Sequence, residues 1–140
     1  MDVEREPVAE LDTDECWGLL ATNSLGRIAM CAAGEIDIFP INYYADGSTI
    51  LFRTAPGTKL MELTIDDNVA FEIDGRHGGK AFSVVVKGTA RQLELSHEIE
   101  RAEAAPLEPW IPTLKYRFVH ITPTLITGRA FALGPEPEHY

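Results

Sequence analysis

The β-prone segments of this chain are separated mostly by breaks too short for helical crossovers, which excludes a parallel α/β sheet over most of its length. Residues 27–31 and 35–43 flank Ala33-Gly34, and Asp46-Gly47 turns the second of them back into residues 48–53. Residues 69–74 alternate with period two, a half-buried strand, before the polar, glycine-rich turn at 75–80. The longest β-prone run is 82–93, and its unbroken Val84-Val85-Val86 predicts burial on both faces. Two further strands are expected at 116–121 and 125–131. Helices are short and few. Asp12 stands three residues before Glu15, a capping pattern that starts a helix with Cys16, Trp17, Leu19 and Leu20 inward and an end near Asn23. A second should follow Pro56-Gly57 with Leu60, Leu63 and Ile65 as its apolar face, and a third should run from an N-cap at Ser96 to a stop at Pro106. Six or seven mainly antiparallel strands with short helices define a mainly β protein, a small β-barrel with appended helices.

A length of 140 residues fits one domain. Residues 1–10 read as a flexible acidic arm, 11–133 as the folded domain and 134–140 as a flexible tail. The net charge of −10 argues against a nucleic-acid partner, which requires a basic face. No apolar run approaches the ~20 residues of a membrane span, and the charged N-terminus lacks a signal-peptide core, so a cytoplasmic location is expected. Cys16 and Cys31 form no C-x-x-C pair and read as reduced core residues. His77, His97, His120 and His139 lack metal-ligand spacing, and Glu94, Glu98, Glu100, Glu103 and Glu108 read as a solvated acidic face.

The chemistry-bearing segment is 52–60, where a β-rich stretch passes through Pro56-Gly57 into a helix start. Backbone N–H groups without intrahelical partners and the positive end of the helix dipole make such a junction an anion site. Thr58 adds a hydroxyl, and Arg53 and Lys59 add cations in an otherwise acidic chain. The competing reading is a plain helix start with Lys59 in water. The segment lacks G-x-x-x-x-G-K-[ST], so it is not a nucleotide-triphosphate loop.

In order and spacing, Gly26-Arg27-Ile28-Ala29, Pro40-Ile41-Asn42-Tyr43, Asp46-Gly47, the 52–60 segment, 69–74, 83–90 and 121–129 resemble the flavin-binding split-barrel proteins related to pyridoxamine 5′-phosphate oxidase, in their short bacterial branch. The resemblance implies a homodimer with flavin mononucleotide (FMN) in a cleft between subunits, passing a hydride or electrons to a small-molecule acceptor. It places Thr54, Thr58 and Lys59, with Arg53 beside them, at the cofactor phosphate. Ile38, Pro40, Ile41 and Asn42 fall on the strand whose backbone faces the flavin ring, Ser83 at a position contributed across the dimer, and Arg129 near the cofactor on the last strand. The oxidase's basic C-terminal substrate segment has no counterpart in residues 129–135, so oxidation of pyridoxamine phosphate is not expected. The same branch holds deazaflavin (F420)-dependent reductases and haem-binding members, so the resemblance leaves a deazaflavin reductase and a non-catalytic flavin- or haem-binding module as alternatives. A haem reading would need an axial histidine, His77 first among them, and Trp110 would anchor an interface or core.

Overall fold

The computed structural model describes residues 8–107 and 117–134. Its elements are β1 (Val8–Leu11), α1 (Thr13–Ala21), β2 (Leu25–Ala32), β3 (Glu35–Ala45), β4 (Ile50–Thr54), α2 (Thr58–Ile65), β5 (Asn68–His77), β6 (Lys80–Gln92), α3 (Ser96–Glu103) and β7 (Arg117–Ala132). All strand pairings are antiparallel. The seven-stranded sheet has the order β1-β7-β4-β3-β2-β5-β6, and β6 pairs back onto β7, which closes six strands into a ring. β1 extends that ring along the last residues of β7, and it takes in residues 8–10, which the sequence assigned to the arm. None of the described helices is long and apolar enough to cross a membrane.

Closure gives each strand of the ring one inward face. Ile28 and Met30 of β2, Ile41 and Tyr43 of β3, Phe71 and Ile73 of β5, Val84 and Val86 of β6 and Val119 and Ile121 of β7 fill the interior. Val85 is half-buried on the outside, so the valine run is not buried on both faces. In a closed barrel the period-two pleat decides, whatever the β-propensity of the outward residue.

The turns form as their residues require. Ala33 and Gly34 take positive φ between β2 and β3, and the Asp46 carboxylate accepts from the Ser48 and Thr49 amides in the next hairpin. The two C-terminal strands are one strand, β7, continuous through Pro123. Between Ile121 and Gly128 one edge of β7 pairs with neither β4 nor β1, and Pro123 sits opposite a register shift at Lys87/Gly88, so its missing N–H breaks no regular ladder.

α1 begins with the full capping box. Asp12 accepts from the Glu15 amide at 2.8 Å, and Glu15 accepts from the Asp12 amide at 3.0 Å. Its buried Cys16 and Leu20 join the main core, where the Tyr43 hydroxyl donates to the Leu20 carbonyl at 2.7 Å. In α2, Leu60 and Leu63 pack against that core, but Ile65 is 63% exposed and Glu62 is buried in its place. α3 starts one residue earlier than expected: Leu95 holds the N-cap position and Ser96 is the first helical residue. It covers a smaller core of Leu51, Leu93, Ala102 and Phe118. Glu98 pairs with Arg91, Glu94, Glu100 and Glu103 are exposed, and Glu108 and Trp110 lie outside the described residues. Cys16 is buried, whereas Cys31 is only half-buried on the outer face of β2 and is not a core residue.

Candidate functional site

Ala55-Pro56-Gly57 carries the chain from β4 into α2. Gly57 is the N-cap in an extended conformation and offers no side chain to the first amides of α2, in contrast to the boxed start of α1. Those amides are donors in search of an acceptor. The space beside them is open, since a Cβ on Gly57 would meet nothing within 4 Å. Thr58 is the first helical residue and is exposed. Lys59 follows, half-buried, with its ammonium 5.2 Å from the centroid of the Phe39 ring. Burial pulls the Lys59 ammonium below the ordinary lysine range. An anion docked beside it would reverse that shift. Uncapped donors, a hydroxyl, a desolvated cation and open space fit a phosphate group.

Arg53 and Thr54 end β4 on opposite faces. The Thr54 hydroxyl donates to the Ala55 carbonyl at 3.3 Å, beside the junction. The Arg53 guanidinium is turned away from the junction: Nη2 donates to the Leu107 carbonyl, past the end of α3, at 3.0 Å, and the side chain lines a cleft with Ile99 of α3, Arg117 and Phe118. The structure therefore gathers Thr54, Thr58 and Lys59 and holds Arg53 beside α3.

The remaining candidates divide by strand face. Ile41 is 4% exposed and belongs to the core. Ile38 and Pro40 are exposed and Asn42 half-buried on the outward face of β3, continued by Ile36, so that Ile36 and Ile38 are 71% and 65% exposed. The registers carry this face around the barrel. One row runs Pro40, Arg27, Glu72, Val85, Thr127; the next runs Ile38, Ala29, Ala70, Lys87, Leu125. Ser83 and Arg129 are direct partners in an adjoining row with Asp74 and Glu10. So Ile38, Pro40, Asn42, Ser83 and Arg129 share one outer surface, with an apolar end on β3 and a polar end on β6 and β7.

Two features of this region have no signal in the sequence pattern. Arg27 donates from Nε to Glu72 at 2.8 Å and from Nη2 to Asp74 at 2.7 Å, tying β2 to β5 across that surface. No local spacing signals a pair so far apart in sequence. Glu62, one turn after Lys59, is 8% exposed with Oε2 lacking a hydrogen-bond partner. A hydrogen bond with Asp37 of β3, then burial, then the charges of Asp37 and Glu35 raise its carboxyl above the ordinary glutamate range. A carboxyl raised in the fold favours folding at low pH, and that contribution is lost as pH climbs from the ordinary glutamate value through the raised one. Glu62→Gln is therefore expected to raise the midpoint of thermal unfolding at pH 7 and to flatten its fall between acid and neutral pH. Identical melting profiles for both proteins would show that the two carboxyls do not interact.

A closed antiparallel ring of six strands with three short helices among the described residues defines a split β-barrel. Residues 12–130 match the pyridoxamine 5′-phosphate oxidase family, and the chain belongs to it. It is similar to a Corynebacterium glutamicum protein named for pyridoxamine 5′-phosphate oxidase by likeness, with 45% identity, a TM-score of 0.88 and coverage of 97% of this chain and 99% of the other. A second similar structure is the FAD binding protein of Mycobacterium smegmatis, with 41% identity, a TM-score of 0.78 and coverage of 90% and 100%. An uncharacterized Mycobacterium tuberculosis protein is 45% identical over 92 residues, 66% of this chain and 84% of its own length.

Proposed function

We propose that this protein is a homodimeric, cytoplasmic flavin-dependent oxidoreductase that holds the flavin phosphate at the β4–α2 junction and the ring along β3. The observation that carries the reading is the uncapped start of α2, with Thr58 and the half-buried Lys59 set over Phe39 of β3. The opposite face of β3 leaves Ile36, Ile38 and Pro40 exposed. Apolar surface of this kind calls for a covering partner, and a second copy of the chain supplies one. Its two unpaired cysteines suit a reducing compartment. FMN and flavin adenine dinucleotide (FAD) share the riboflavin phosphate that this junction would take, and the 41% identical FAD binding protein supports a flavin nucleotide of either length.

The bound flavin would supply two-electron or hydride transfer to a small acceptor. Thr58, Lys59 and the first amides of α2 bind and neutralise the phosphate, Thr54 adds a hydroxyl beside it, and the β3 backbone orients the ring.

Titration of the apoprotein with FMN, FAD, riboflavin, F420 and haem under one set of conditions tests this. Saturable binding of FMN or FAD at one flavin per chain in a sedimenting dimer, with riboflavin much weaker, is the expected result. Preference for F420 transfers the reading to a deazaflavin reductase, preference for haem to a haem-binding module, and flavin binding by a stable monomer removes the shared cleft.

A further inference from the structure

The hairpin of β5 and β6 continues past Glu72, where the pairing of β5 with β2 ends, and it lines with α1 a cleft of about 620 Å³. That volume lies within the range of small-molecule sites. We propose that this cleft is a second binding site, separate from the β4–α2 junction, for a small apolar molecule ending in an oxyanion. Leu11, Leu19, Phe82 and Ala130 give it an apolar floor, while Arg76, His77 and Lys80 of the hairpin stand at its rim.

Its charge is out of character with the chain. In a protein of net charge −10, two cations and a histidine line this cleft, and none of the three takes part in an ion pair among the described residues. The carboxylate that also lines the cleft, Glu15, is engaged by the Asp12 amide in the capping box. Thr22 and Asn23 donate back to carbonyls of α1, so the charged groups left at the cleft are Glu15 and the hairpin's cations. Leu133 donates to the Gly79 carbonyl at 3.1 Å, which pins the hairpin tip to the end of β7 and fixes the cationic wall.

Gly18 supplies the independent argument. It sits inside α1, where glycine costs about 1 kcal/mol against alanine. No packing demand explains it, because a Cβ there would meet nothing within 4 Å. Gly18 lines the cleft, and its missing side chain keeps the α1 wall low. Gly75 acts on the opposite wall: a Cβ there would lie 2.9 Å from the Phe82 ring, so its absence lets that ring lie against the hairpin as floor.

The test uses octanoate, octyl phosphate and octanol as probes, measured by calorimetry on the full chain. Saturable binding of either anion, with octanol at least about tenfold weaker, is expected from a cationic rim. Whether octanoate or octyl phosphate binds better identifies the source as a carboxylate or a phosphate ester. Arg76→Ala with Lys80→Ala should weaken anion binding about tenfold, and Gly18→Leu should abolish it, while Gly18→Ala stays folded as the helix control. Flavin titration of the same variants should be unchanged, which separates this site from the junction. Equal binding of octanol, no binding of any probe, or full anion binding by the Gly18→Leu protein would each overturn the proposal.

Discussion

Gly88→Ala should destabilise the protein by about 3 kcal/mol or more, at or above the upper end of what overpacking a tight interior usually costs. The added Cβ would stand 2.2 Å from the Thr122 carbonyl oxygen and 2.9 Å from its carbon, with the Pro123 Cα at 3.0 Å. Every one of these atoms is backbone, so no rotamer change relieves the clash. Relief must come from parting β6 and β7 at their register shift, and that seam is the pairing that closes the ring. In a domain of this size the loss corresponds to a fall in melting temperature on the order of 10 °C. Gly57→Ala is the matched control, because its Cβ meets nothing within 4 Å. Urea unfolding of the two variants checks the expectation, and a Gly88→Ala protein within about 1 kcal/mol of the parent would mean that the seam yields easily.

Local chemistry was legible in the sequence wherever a few adjacent residues decide the outcome. The Asp12–Glu15 box, the Asp46-Gly47 turn and the break at Pro56-Gly57 all form as their residue types demand. What escaped was set by closure of the ring. Val85 looks like core by type, yet the pleat turns it outward between two inward valines. Ile65 fits an apolar stripe on α2, but the geometry of the barrel end buries Glu62 against Asp37 instead. Pro123 reads as a strand break until the register shift across from it is known.

The candidate site divides the same way. Thr54, Thr58 and Lys59 are neighbours in sequence, and the β4–α2 junction keeps them together. Arg53 belongs to the same run of residues, but strand alternation sends its guanidinium to the Leu107 carbonyl past α3. The surface shared by Ile38, Ser83 and Arg129 joins strands distant in sequence, and only the registers bring them to one face.

Lys59→Ala is expected to weaken FMN and FAD by about 1.5 to 3 kcal/mol, the worth of a hydrogen bond to a charged group, or roughly 10- to 150-fold in affinity. Riboflavin, which carries no phosphate, should be almost unaffected. The pH dependence follows from the position of the ammonium. Burial holds the Lys59 pKa below the ordinary lysine range, so without ligand the group loses its proton earlier as pH rises. A bound phosphate favours the charged form, and binding at high pH must therefore take up a proton. Affinity for the phosphate-bearing flavins should fall as pH is raised through the depressed Lys59 value, while the Lys59→Ala protein should lack that decline. Equal weakening of riboflavin and FMN would locate the role of Lys59 in its packing on Phe39, and an unchanged high-pH decline in the variant would assign the titration to another group.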